Sequence, residues 1–190
     1  MTESTPDLVV LVPIKRFSAA KSRLRDVLGD DEVEKLARSL AHAVLEATRP
    51  QRTLVVCDDD DVATFATERG AGVVRTSATT LNGAVAEAYR QMTPDVLIVV
   101  VHADLSRPQG LGTFRPGSGV TIVTDHLATG TNVLALPGGL DFHFRYGSDS
   151  AHAHRDEAGR LGLACTLVTD SPWAFDVDEP HDLERAPDSI

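Results

Sequence analysis

Apolar residues in this chain follow two rhythms, continuous short runs and a helical repeat, and the two alternate. Leu8-Val9-Val10-Leu11-Val12 is an unbroken apolar run, the pattern of a strand covered on both faces. Val33, Leu36, Ala37, Leu40, Val44 and Leu45 then recur at helical spacing within a segment of about 18 residues. Thr53 to Cys57 reads as a strand that runs into Asp58-Asp59-Asp60-Asp61. Asp60 or Asp61 is placed to cap a helix through Arg69, which Gly70 would stop. Gly72 to Arg75 predicts a short strand. Leu81 to Met92 predicts a helix with Leu81, Val85, Ala88 and Met92 on one face. Val96 to Val101 is apolar throughout, as a central strand should be.

The second half is less regular. Residues 105–119 contain four glycines and two prolines without helical period, so a loop takes the place where a crossover helix is expected. Val120 to Val123, Val133 to Leu136 and Phe142 to Arg145 predict three strands. Ser148 or Ser150 would cap a helix through Leu161. Cys165 to Val168 and Ala174 to Val177 predict two more strands, and Glu179-Pro180 opens a last short helix. The alternation predicts an α/β fold: a doubly wound, mainly parallel central sheet with helices on both faces. Ligands of such sheets bind beyond the carboxyl ends of the strands. Lys15, Asp58 and Asp104 each follow a predicted strand, although Asp58 equally reads as a helix cap.

Composition narrows the class. The 190 residues suit a single domain, 1–190, with residues 1–7 and 187–190 read as flexible ends. Eighteen basic against 28 acidic residues give a net charge of -10, which disfavours nucleic acid and anionic membranes as partners. No apolar run approaches the roughly 20 residues of a membrane span, and Met1 to Asp7 lacks a signal-peptide core. Cys57 and Cys165 show no metal or redox spacing. They read as core residues in a reducing compartment, so the expected location is cytoplasmic.

Against that acidic background, five of the 18 basic residues lie between Lys15 and Arg25. This loop reads either as a phosphate site at the sheet edge or as a solvated basic patch. Asp176-Val177-Asp178, on a strand, would set two carboxylates on one face, and a divalent cation with oxygen ligands would relieve their repulsion. Asp104 supplies a third oxygen ligand, so the three together indicate Mg²⁺. Thr129-Gly130-Thr131-Asn132 and Gly147-Ser148-Asp149-Ser150 offer glycines, hydroxyls and helix amides suited to a phosphate or carboxylate. His152 and His154, two residues apart, read as surface histidines. His102, His126 and His181 have no evident partner in sequence.

Taken together, Pro13-x-Lys15, Ala20-Lys21-Ser22-Arg23-Leu24, Leu81-Asn82, His102-x-Asp104-Leu105, Thr129-Gly130-Thr131-Asn132, Arg145-Tyr146-Gly147, Ser150 and Asp176-Val177-Asp178 resemble, in order, a known family. It is the phosphoenolpyruvate or 2-phospho-L-lactate guanylyltransferases of deazaflavin coenzyme (F-420) biosynthesis. The resemblance runs from about Leu8 to Leu183, and it implies a nucleotide-diphospho-sugar transferase-like, Rossmann-like fold. The implied reaction moves GMP from GTP to a small phosphorylated acid and releases pyrophosphate. By resemblance, Lys15, Lys21 and Arg23 would hold the triphosphate and Asn82 would lie near the guanine. Asp104, Asp176 and Asp178 would hold Mg²⁺, with Lys21 and Asp104 catalytic. Thr131, Gly147 and Ser150 would receive the acceptor, and a homodimer is a family inference.

The chain departs from the family where Gly-Asp-Leu-Pro is usual and Ala103-Asp104-Leu105-Ser106 stands instead. Ala103 adds a methyl group near the nucleotide, Ser106 is expected to loosen the following turn, and the Gly/Pro-rich segment replaces a helix. Phosphoenolpyruvate and phospholactate are not separated by the sequence. The other readings are a nucleotidyltransferase with a different NTP or acceptor, and a non-catalytic nucleotide-binding relative.

Overall fold

A computed structural model describes residues 7–185. The ends read as flexible lie outside the described residues, apart from Asp7, which opens the first strand. Seven strands form one sheet: β1 (Asp7–Pro13), β2 (Arg52–Cys57), β3 (Gly72–Arg75), β4 (Val96–Val101), β5 (Val120–Thr124), β6 (Thr131–Pro137) and β7 (Cys165–Val168). Their spatial order is β3-β2-β1-β4-β6-β5-β7. All pairings are parallel except the two made by β6, which runs antiparallel between β4 and β5. The five α-helices are α1 (Arg25–Leu28), α2 (Asp30–Ala47), α3 (Asp60–Glu68), α4 (Leu81–Arg90) and α5 (Ser150–Arg160).

The strict period of two along the strands divides the core between the two faces of the sheet. Val10, Val12, Val55 and Val99 pack with Ala41 and Val44 of α2 and Phe65 of α3. Val9, Leu11, Val56, Ile98 and Val100 pack on the opposite face with Val85 and Ala88 of α4 and Ala151 and Ala158 of α5. Each fully buried Val or Leu contributes about 1.5–3 kcal/mol relative to exposure, so the continuous apolar runs of β1 and β4 place those strands at the centre.

Several expectations need correction. Asp59, rather than Asp60 or Asp61, caps α3 through its side chain, which accepts from the amides of Asp61 and Val62. The helices α3 and α4 end slightly early, at Glu68 and Arg90. Phe142 to Arg145 is not a strand. Phe142 and Phe144 are buried in alternation, but their neighbours' amides bond side chains: His143 N donates to Glu157 (2.9 Å) and Arg145 N to His154 (3.0 Å). Neither Ser148 nor Ser150 caps α5, whose N-cap is Asp149 in the left-handed region, φ 59°. Ala174 to Val177 is also no strand; Pro172–Ala174 forms a 3-10 turn, and only Asp176 makes a bridge, to Leu105.

The segment after β4 substitutes side-chain plugs for a crossover helix. Leu105 and Leu111 are buried, Phe114 packs edge-on against Trp173 at 5.0 Å, and the Trp173 indole donates to Gln109 O. Gly112 lies so close to Arg49 that an added Cβ would stand 1.7 Å from the Arg49 carbonyl. Ser106 tightens its turn instead of loosening it, because its amide (2.8 Å) and hydroxyl (3.0 Å) both donate to Phe175 O. A proline there would have no amide to give.

The cap assignment is testable by thermal denaturation. Asp59→Ala should cost about 1 kcal/mol by loss of the cap. Asp60→Ala and Asp61→Ala remove only exposed ion pairs with Arg75 and Arg38 and should change stability less.

Candidate active site

The carboxyl edge of β1 and β4 gathers the charged side chains singled out from sequence. Pro13 ends β1, and the basic loop then folds through two 3-10 turns, Phe17–Ala19 and Ser22–Leu24. Lys21 lies between these turns in the left-handed region (φ 51°, ψ 43°), unusual for a residue with a side chain. Its ammonium is buried at 7% exposure and donates to Asp104 Oδ2 at 2.5 Å and Asp178 Oδ1 at 2.7 Å. Arg25 closes the loop by bonding the carbonyls of Ser18 and Ala20 and pairing with Asp30. Lys15 and Arg23 line a cleft of about 450 Å³ together with Lys21, His102, Asp104 and Asp178.

Backbone pairing brings the three aspartates together. Asp104 follows β4, and the distant Asp176–Asp178 segment docks on it through the Leu105–Asp176 bridge and the Val177 N to Asp104 O bond of 3.1 Å. Val177 is fully buried, which fixes the two flanking carboxylates on the outside. One oxygen from each of Asp104, Asp176 and Asp178 lies within 4.8 Å of the other two. Asn132 on β6 steadies the group by donating to Trp173 O (3.0 Å) and Asp176 Oδ1 (3.4 Å).

The electrostatics of the group call for a cation. Burial alone would raise the Asp104 carboxyl, but the Lys21 ammonium beside it holds it below the ordinary range. Burial likewise opposes charge on Lys21, yet Asp104 and Asp178 hold its amine above the usual value. Asp176 receives no such help, so burial and the charges of Asp104 and Asp178 push its carboxyl up. Asp104 Oδ1 is buried without a hydrogen-bond partner among the described residues. Three converging carboxylates with an orphaned oxygen fit a divalent cation.

The two glycine-containing loops named from sequence also meet. Ala151 N donates to Thr129 O at 2.9 Å, and Thr131 Oγ1 lies 3.1 Å from His154 Nδ1. His154 is fully buried rather than on the surface, because α5 turns that face onto the sheet. Burial, with His102 nearby, pushes its imidazole down to about 4, so the ring is neutral. Arg145 N donates to Nε2, which assigns the proton to Nδ1 and makes the Thr131 oxygen its acceptor. The Thr131 hydroxyl hydrogen is then free to donate elsewhere. Gly147 is exposed at φ 135°, with open space where a Cβ would stand, and Ser150 is buried in the first turn of α5.

Asn82 holds a neighbouring loop. Its side-chain amide donates to Tyr146 O (3.0 Å) and accepts from Tyr146 N (2.6 Å), clamping the Arg145-Tyr146-Gly147 loop to α4. His102, Asn132, Tyr146 and His154 were not singled out as site residues by sequence. His102 and Tyr146 face each other at 5.3 Å between ring centroids. The His102 Nε2 and Tyr146 hydroxyl are buried and unpartnered among the described residues. His102, Asn132 and Tyr146 stand inside the quoted motifs, whereas His154 carries no such signal in the sequence.

Comparison with known proteins agrees with this architecture. Residues 8–186 match the model of a family described as "Guanylyl transferase CofC like". The phosphoenolpyruvate guanylyltransferase of Salinispora arenicola is 37% identical, with 93% of this chain and 86% of the relative covered. That of Chloroflexus aggregans is 29% identical, covering 93% of this chain and 95% of the relative. A putative nucleotide-diphospho-sugar transferase from Desulfovibrio desulfuricans superposes with a TM-score of 0.68 at 15% identity, over 94% of this chain and 85% of the other. A nucleotidyl transferase from Methanothermobacter gives 0.64 at 14% identity, covering 94% and 95%. The last two likenesses concern the fold.

Two measurements check the electrostatics. An imidazole kept neutral when folded but protonated when unfolded makes stability fall as pH drops from 6.5 toward about 4. Urea denaturation of His154→Gln should therefore lose about 2–3 kcal/mol of the difference in stability between pH 7 and pH 4.5. Asp176 has the opposite sign: a carboxyl raised on folding opposes stability above its folded pKa, and that penalty vanishes at low pH. In metal-free buffer at pH 7, Asp176→Asn should melt higher than the wild type and gain less from added MgCl₂ or MnCl₂.

Proposed function

The chain belongs to the CofC-like guanylyl transferase family, and on that premise we propose that it transfers GMP from GTP to phosphoenolpyruvate or 2-phospho-L-lactate. Pyrophosphate is released, and the product enters biosynthesis of the deazaflavin coenzyme F-420. The observation that carries this reading is the Lys21 ammonium seated between Asp104 and Asp178 at the floor of a cationic cleft. Such a site suits a polyanion bound with a cation and is poorly suited to a neutral ligand.

The reaction joins two anions. An acceptor phosphate oxygen attacks the α-phosphorus of GTP, and the bond from that phosphorus to the bridging oxygen breaks. Lys15 and Arg23 hold the triphosphate tail, and Lys21 neutralises charge gathering on the leaving pyrophosphate. Asp104, Asp176 and Asp178 would hold a divalent cation, Mg²⁺ in this reading, which when bound neutralises charge on the reacting phosphates. Thr131, oriented by His154, donates its hydroxyl to the acceptor, and the Gly147 loop and first turn of α5 offer amides to its phosphate or carboxylate. Both candidate acids share those anionic groups. No side chain has to form a covalent bond, because alignment and charge neutralisation supply the catalysis. The nucleotide substrate and two cysteines, Cys57 and Cys165, that are not joined in a disulfide support a cytoplasmic setting.

The test is pyrophosphate release by the purified protein with Mg²⁺, GTP and each phosphorylated three-carbon acid. Asp178→Asn should abolish metal-dependent turnover while leaving the circular dichroism spectrum intact, and Lys21→Met should lower kcat by about 100-fold or more. Near-normal turnover of Asp178→Asn would remove the metal role assigned to it.

A further inference from the structure

The sheet order ranks the site residues along one edge. Thr131 lies on β6, Asp104 follows β4, Lys15 and Lys21 follow β1, and β2 and β3 lie beyond. An acceptor received beside β6 attacks phosphorus near Asp104 from that side. In-line attack sends the leaving pyrophosphate to the opposite side, toward Lys15 and Lys21, and the nucleoside, attached at a third position of that phosphorus, needs a hollow of its own beside the main cleft. A second hollow of about 190 Å³ lies there. It continues from the main cleft through shared walls at Pro13, Ile14, Lys15, Ala19 and Leu81, and its size suits a purine.

Asp58 lines this hollow at the carboxyl end of β2. Of the four consecutive aspartates, Asp59 caps α3, Asp60 pairs with Arg75 and Asp61 pairs with Arg38. The Asp58 carboxylate makes no hydrogen bond or ion pair among the described residues, and the cap that would explain it belongs to Asp59. Asn82 spends one N–H and one oxygen lone pair on Tyr146, and it does not line this hollow.

Resting on the guanylyltransferase reading, we propose that Asp58 selects guanine by accepting hydrogen bonds from N1–H and the 2-amino group. An ionised carboxylate offers only acceptors, and guanine presents two adjacent donors on that edge. Adenine presents a donor beside the N1 lone pair, which a carboxylate repels. Inosine keeps N1–H but lacks the 2-amino group. A site built to bond a polar group discriminates strongly against the analogue that lacks it.

The experiment measures kcat/KM for GTP, ITP and ATP with the acceptor and Mg²⁺ present. In parallel, dissociation constants are taken for ribose-labelled fluorescent GTP and ITP. The wild type should prefer GTP to ITP by about tenfold or more, the size of a lost charge-assisted hydrogen bond. Asp58→Asn should lose most of that preference in both assays while keeping the wild-type melting profile, and Asp60→Asn should retain it. An unchanged GTP-to-ITP ratio in Asp58→Asn, or no such preference in the wild type, overturns the assignment and leaves Asp58 a solvated carboxylate. Binding without turnover by the wild type would instead overturn the transferase reading, and the ratio of dissociation constants would still decide the role of Asp58.

Discussion

One ammonium group organises this molecule's functional edge. Lys21 joins Asp104 and Asp178, residues 83 and 157 positions away in sequence, and it does so from a left-handed backbone conformation. Without a cation at that point, Asp104, Asp176 and Asp178 would repel one another within a few ångströms in a partly buried setting. The fold tolerates the carboxylates because a tethered positive charge meets two of them. Asp176, which the ammonium does not reach, carries the upward pKa shift. In the proposed reaction the same lysine is placed to turn from the carboxylates to the triphosphate.

The rest of the edge keeps that pairing in register. The bridge from Leu105 to Asp176 and the two hydrogen bonds that Ser106 donates to Phe175 O hold the final segment against the end of β4. Asn132 adds a tie from β6, and Trp173 anchors the Gly/Pro-rich segment beneath. This is why the segment can stand in for a helix without disturbing the aspartates: its buried Leu105 and Leu111 fill the space, and its backbone docks on neighbouring chain. On the far side, His154 and Asn82 brace the loops around Thr131 and Gly147, so buried polar side chains do the work that strand pairing does elsewhere.

Local patterning was enough to place the sheet and most of its helices. Continuous apolar runs and helical spacing are local signals, and all seven described strands, β1 to β7, fall where those signals place them within one or two residues. The chemical character of the edge was also legible, since Lys15, Lys21, Arg23, Asp104, Asp176 and Asp178 stand out by charge at strand ends. Contacts between distant parts of the chain settle the other roles. Phe142 to Arg145 alternates like a strand, but its amides meet Glu157 and His154 rather than a neighbouring strand. His154 is polar, yet α5 turns it inward. Four adjacent aspartates look alike in sequence, and only their partners separate the cap, the two ion-paired residues and the uncommitted Asp58. Such roles depend on which group another part of the chain brings within hydrogen-bond reach, and local periodicity carries no record of that.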